Sequence, residues 1–121
     1  MNFYESEIRD NTPMTRGDTK LLTELPRDKQ DIVTDWIAQN ILPRKSPLLD
    51  SSSYGMKHIL QEDTGVYLTN NQFKHAMLLC GYSPVNEHEL NWHFCISKKS
   101  PAFMSKWRRR ELQRSYAADQ S

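Results

Sequence analysis

Between Thr69-Asn70 and Gly81 the chain has little freedom to be anything but one helix. Phe73, Ala76, Met77 and Cys80 stand three and four residues apart, which puts them on one side of a 3.6-residue turn and Asn71, Lys74, His75 and Leu78 on the other. Thr69 or Asn70 offers a short acceptor to the unpaired N–H groups of the first turn. Gly81 takes the left-handed conformation that ends a helix without a Cβ penalty, and Pro84 lies just beyond. The spacing predicts a helix over 70–80 with its apolar face inward and its polar face in solvent.

The elements around it follow from similar signals. Ser52 or Ser53 caps a shorter helix over 53–62 with Met56, Ile59 and Leu60 as its buried stripe, and Gly65 marks the turn after it. Val66-Tyr67-Leu68 is too short for an independent strand but long enough for a brief β pairing between the two helices. From 90 to 97, Trp92, Phe94 and Ile96 alternate with Asn91, His93, Cys95 and Ser97, the period of a half-buried strand. The polar loop 83–89 before it is long enough to hold the other arm of a wing. Upstream, Pro26, Asp28 and Asp31 suit a helix N-terminus, and Ile32, Val33, Trp36, Ile37, Asn40 and Ile41 recur at helical spacing, so a scaffold helix is expected over 27–42. Pro43 ends it, and Pro43 to Pro47 reads as a rigid basic elbow carrying Arg44 and Lys45.

This order predicts an α+β, mostly helical fold resembling a winged helix: three core helices, a short β-hairpin or wing, and a basic C-terminal helix or tail. Residues 1–26 read as a flexible arm, 27–104 as the domain and 105–121 as the tail. The arm lacks clear periodicity and contains Asn11-Thr-Pro13 and Arg16-Gly-Asp18, yet Phe3, Tyr4 and Ile8 give it apolar groups able to dock on the domain or on a second copy. A homodimer is therefore one expected assembly.

A chain of 121 residues suits one domain with a modest core. Hydrophobic residues make up 37% and mean hydropathy is −0.76, and no apolar run approaches the roughly 20 residues of a membrane helix, so no membrane association is expected. Glu5, Glu7 and Asp10 fall where a signal peptide would need apolar residues, which points to a cytoplasmic location. Cys80 and Cys95 are then expected as reduced thiols that pack as small hydrophobes.

Catalytic motifs are missing from the sequence: there is no glycine-rich phosphate loop, no Gly-x-Ser-x-Gly elbow and no His-Glu-x-x-His helix. His88, His93 and Cys95 do not match a standard zinc spacing, and Glu87 with Glu89 reads as solvated loop charge. The expectation is a non-enzymatic protein without catalytic residue, metal or cofactor. Tyr54, Tyr67 and Tyr82 read as rim residues of the core.

Charge is where function shows. Net charge is only +1, but Lys98, Lys99, Lys106, Arg108, Arg109 and Arg110 gather at the C-terminal end around Trp107, and each cation that neutralises a phosphate releases counterions. On the helix over 70–80, Asn71 and Gln72 suit adenine and Lys74 suits guanine, with His75 beside them on the same outward face. Arg44, Lys45, Asn71, Gln72, Lys74, His75, Lys98, Lys99, Lys106, Arg108, Arg109 and Arg110 are thus the candidate DNA-binding residues. The alternative is an inhibitor that binds another protein. Eight acids fall in the first 35 residues, among them Asp18, Glu24, Asp28, Asp31 and Asp35, and such an acidic half can imitate nucleic acid towards a basic channel.

The segments Ile41-Leu-Pro-Arg-Lys45, Ser53-Tyr-Gly-Met-Lys-His58, Thr69-Asn-Asn-Gln-Phe-Lys74, Ala76-Met-Leu-Leu79, Gly81-Tyr82, Asn91-Trp92 and Ile96-Ser-Lys-Lys-Ser-Pro-Ala-Phe103 resemble a family of small proteins from phages and conjugative elements of Gram-positive bacteria. The resemblance spans about residues 27–104. It implies a mobile-element setting in the cytoplasm of a bacterial host cell, in which small proteins are commonly DNA-binding factors or inhibitors of a host defence or replication protein, an anti-CRISPR-like or other anti-defence role, and it supplies no site residues.

Overall fold

The computed structural model describes residues 18–104. They form an α+β unit of three helices, α1 (Arg27–Asn40), α2 (Ser53–Thr64) and α3 (Asn70–Leu79), with strands β1 (Pro43–Leu48) and β2 (Phe94–Ile96) paired antiparallel. Single 3-10 turns at Leu22–Glu24 and Pro101–Phe103 flank them. The core is one cluster in which Val33, Trp36 and Ile37 of α1, Met56 and Leu60 of α2, Phe73, Ala76 and Met77 of α3, and Trp92, Phe94 and Ile96 meet.

Local chemistry explains each boundary. Thr69 Oγ1 accepts from the Gln72 N–H at 3.2 Å while Gln72 Oε1 accepts from the Thr69 N–H at 3.0 Å, a reciprocal capping box that starts α3. At its far end the Gly81 N–H donates to Leu78 O and the Tyr82 N–H to Met77 O, with Gly81 at φ +94°, which is a Schellman end. Gly65, at φ +77°, ends α2 two residues later than the spacing alone predicts. Helix α1 stops at Asn40, two residues early, because Ile41 turns extended and enters the core. Ile32, expected on the inner stripe of α1, is 41% exposed.

The sheet differs from expectation. Residues 43–47 are not an elbow between elements but most of β1. Pro43 lies opposite Ile96 and Leu48 opposite Phe94, so five steps along β1 answer two along β2 and the strand is bulged. The Arg44 guanidinium closes the bulge, donating from Nε to Ser46 O at 3.1 Å and from Nη2 to Pro47 O at 2.7 Å. The strand expected over 90–97 contracts to three residues, although its alternation survives: Trp92, Phe94 and Ile96 are buried and the residues between them are not. Pro84 forms an isolated bridge with Phe94, and the Val85 N–H donates to His93 O at 2.8 Å, so the loop expected as a wing arm does return along β2. Val66-Tyr67-Leu68 forms no strand; Val66 and Leu68 point into the core while Tyr67 faces out.

The segment expected as a free arm joins the fold from residue 18. Leu21 and Leu22 are buried, and the turn Leu22–Glu24 packs on α1 and α3. Phe3, Tyr4 and Ile8 lie outside the described residues.

Candidate functional site

Helix α3 is buried on all sides from Asn70 to Met77, which overturns its assignment as a groove-reading helix. Asn71, Gln72, Lys74 and His75 are each less than 5% exposed, so their side chains do not face solvent. The physical reason is that Asn71, Gln72 and His75 are each hydrogen-bonded to another part of the chain, while Lys74 lies over the Trp92 ring. Asn71 Nδ2 donates to Lys20 O at 3.0 Å, Gln72 Nε2 donates to Leu21 O, and His75 Nδ1 accepts from the Leu22 N–H at 2.9 Å. The preceding residue, Asn70, donates to Leu90 O and to Asn91 Oδ1 and accepts from Ser53 Oγ, which itself accepts from the Trp92 N–H. Buried polar groups are tolerated where they find partners, and these bonds tie the 18–25 segment, α2 and the approach to β2 onto one helix.

At the N-terminus of α3 charge is concentrated. Asp18 Oδ2 accepts from the Asn71 N–H at 3.1 Å, placing a carboxylate at the positive end of the helix dipole. Lys74 Nζ sits 5.0 Å from the centroid of the Trp92 ring, and Lys57 Nζ lies 5.0 Å from Tyr54 and 5.5 Å from Tyr67. Burial pushes Lys74 down to about 8 and lowers Lys57 as well, in both cases against the opposing pull of Asp18. Tyr54 and Tyr67 are 52% and 63% exposed, and Tyr54 meets His58 edge to face at 4.6 Å. These tyrosines form an open aromatic rim around Lys57 rather than a seal on the core.

A second basic feature stands at the sheet. The Ser97 N–H donates to Leu42 O and the Leu42 N–H to Ser100 Oγ, so Lys98 and Lys99 turn just beyond the end of β2 beside the start of β1. Lys45, Lys98 and Lys99 are exposed, while Arg44 is half-buried in its bulge. Residues 41–49 and 94–104 hold these four cations and no acid. Lys106, Arg108, Arg109 and Arg110 lie outside the described residues.

Other groups are ordinary. His93 Nδ1 lies 3.1 Å from Glu89 Oε2 and His88 Nε2 lies 3.8 Å from Glu87 Oε1, and among the described residues no three His, Cys, Asp or Glu side chains converge as metal ligands. Cys80 and Cys95 are free thiols that line one open groove with Tyr82, and burial, reinforced by Asp35, raises Cys80 above the usual thiol range. No helix among the described residues is long and apolar enough to cross a membrane.

Sequence reasoning missed Asp18, Ser53, Asn70 and Lys57 as organising residues. Only Lys57 carried a signal, since Tyr54, Lys57 and His58 stand at i, i+3 and i+4 on α2. The other three act through partners that lie far away in the chain, which no local pattern encodes.

Fold and site together define a small α+β domain built on a buried polar helix, with one cationic sheet end and one lysine and tyrosine cluster. Comparison of the chain with known protein families, with curated proteins and with solved structures finds no match.

Proposed function

We propose that this is a non-catalytic nucleic-acid-binding protein of a mobile element that grips phosphates with the β1–β2 end of its sheet and its basic tail. The observation that carries the reading is the exposure of Lys45 within β1 and of Lys98 and Lys99 just beyond β2, in segments free of acid, shortly before the run Lys106, Arg108, Arg109 and Arg110 in the sequence. Point charges without a bidentate partner position a backbone and do not read bases, so the binding is sequence-tolerant. The order helix, strand, helix, helix, bridge at Pro84 and strand β2 supports a winged-helix reading of the fold, with 85–93 as the wing. In that frame the helix that ordinarily enters the groove is the buried α3, so the sheet side carries the contact.

The test is binding of the full chain to random-sequence duplex and single strands across a salt series, beside Lys45→Ala/Lys98→Ala/Lys99→Ala. Micromolar affinity is expected, with a log–log salt slope for duplex that falls by about 2 to 3 in the triple variant. Absence of binding at low salt would sink the reading.

A second reading, an inhibitor of a host protein, draws on α1. Asp28, Asp31 and Asp35 are exposed along one side of it with Ile32 among them, and among the described residues only Asp31 is paired, to Arg27 at 3.1 Å. Carboxylates flanking an apolar residue suit a basic protein surface. Loss of nucleic-acid binding together with capture of a host protein that Asp31→Lys/Asp35→Lys abolishes would decide for it.

A further inference from the structure

Two open tyrosine rings converge on one buried ammonium group. Tyr54 belongs to α2 and Tyr67 to the connection between α2 and α3, yet Lys57 Nζ lies over both rings, at 5.0 and 5.5 Å from their centroids. Lys57 makes no hydrogen bond or ion pair among the described residues, so the ring faces stand where a carboxylate would ordinarily be. Each tyrosine nonetheless keeps more than half of its surface in solvent. His58 meets Tyr54 edge to face at 4.6 Å and fixes its tilt.

Apolar residues exposed one by one are ordinary on a protein surface, and these two are not isolated. A cation on the inner face of each ring draws π density inward and leaves the outer face better matched to the electron-rich face of a nucleobase. Because both rings share one ammonium, they stand close enough together to take successive bases of one strand. A duplex cannot use them, since its bases are already stacked and paired. The Ser53 N–H donates to Trp92 O, which sets the first turn of α2 beside the residues leading into β2. With Leu48 opposite Phe94 and Pro43 opposite Ile96, this is the end of the sheet away from Lys98 and Lys99. Strand β1, roughly 20 Å long and carrying the exposed Lys45, separates the two features, a distance that several nucleotides of an extended strand cover.

We propose that Tyr54 and Tyr67, held around Lys57, form a stacking platform for unpaired nucleobases, so that the preferred ligand is a single strand whose backbone reaches Lys45, Lys98 and Lys99. The proposal rests on the nucleic-acid reading for those backbone contacts and adds a contact to the bases themselves. Every base has a π face, so the platform favours single strands over duplex without reading their sequence.

The test measures, at one salt concentration, the affinity of the full wild-type chain for a short oligothymidine, for an abasic strand of equal length and for a duplex of that length. Oligothymidine is expected to bind at least about tenfold more tightly than the abasic strand, which carries the same phosphates and no bases. Tyr54→Ala/Tyr67→Ala is expected to bring oligothymidine to the abasic level while duplex affinity, the control for an intact fold, stays unchanged. Tyr54→Phe/Tyr67→Phe keeps the rings and is expected to keep the preference. Lys45→Ala/Lys98→Ala/Lys99→Ala is expected instead to weaken all three ligands. Equal wild-type affinity for oligothymidine and the abasic strand overturns the platform and leaves the phosphate grip standing, a result that depends on no variant. Persistence of the preference in the double alanine variant overturns it as well. Binding of oligothymidine through the tyrosines, with neither abasic strand nor duplex bound, would support the platform and remove the phosphate grip. Absence of binding to all three removes both.

Discussion

The Leu22 backbone N–H donates to Nδ1 of His75 across 2.9 Å, joining residues that stand 53 apart in the chain. Both are buried, and Leu22 is completely so. The Nδ1 acceptor of His75 is thus part of how the N-terminal segment is held.

His75→Phe keeps a ring in the site and removes the acceptor, leaving the Leu22 N–H buried without a partner. We expect a loss of about 1–3 kcal/mol in urea unfolding, the desolvation cost of one orphaned donor. Faster hydrogen exchange at Leu22, with the α2 amides unchanged, would place the damage in the 18–25 segment.

Ser53→Ala removes a hydroxyl that donates to Asn70 Oδ1 at 2.8 Å and accepts from the Trp92 N–H at 3.0 Å. Two buried groups lose their partner at once, so a destabilisation of about 2–4 kcal/mol is expected from chemical denaturation. A change under about 0.5 kcal/mol, the range of ordinary surface substitutions, would contradict the network.

Gly65 and Gly81 test backbone strain in isolation, because a Cβ at either would meet nothing within 4 Å. Their φ values of +77° and +94° are the whole obstacle. Alanine at either position is expected to cost about 1–2 kcal/mol in thermal or urea unfolding, additively, since each ends a different helix.

Lys74 makes stability depend on pH in a definite direction. Burial lowers its folded-state value to about 8 from 10.5, so the folded protein disfavours the charged form. Below pH about 8 the group is charged folded or unfolded, and the burial cost is present in full. Between about 8 and 10.5 the unfolded chain binds more protons than the folded one, and this contribution makes stability rise with pH. Cys80 and Tyr82, both raised chiefly by burial, act oppositely at alkaline pH. The measurement is therefore the urea midpoint of wild type minus that of Lys74→Met from pH 7 to 10. The difference should climb through this window, and a flat difference would refute the assignment.

What could be read from the sequence was what neighbours within one turn decide. The Thr69 cap, the Gly65 and Gly81 stops, and the inward set Trp92, Phe94 and Ile96 all depend on groups a few residues apart, and all four are present in the structure. The apolar face of α3 was legible too, and Phe73, Ala76 and Met77 are buried as their spacing implies. Its polar face was not. Periodicity assumes that a polar side chain seeks water, but Asn71, Gln72, Lys74 and His75 find Lys20, Leu21, Trp92 and Leu22 instead. The bulge of β1 was hidden for a related reason, since Pro43 and Pro47 discourage a strand locally and only pairing with β2 makes one. The amino-acid sequence by itself settled where helices begin, where they end to within two residues, and which residues are apolar enough for a core. Tertiary structure alone decided which polar groups are inside, because a buried polar side chain is tolerated only when a partner, here usually some 20 or 50 residues away, satisfies it.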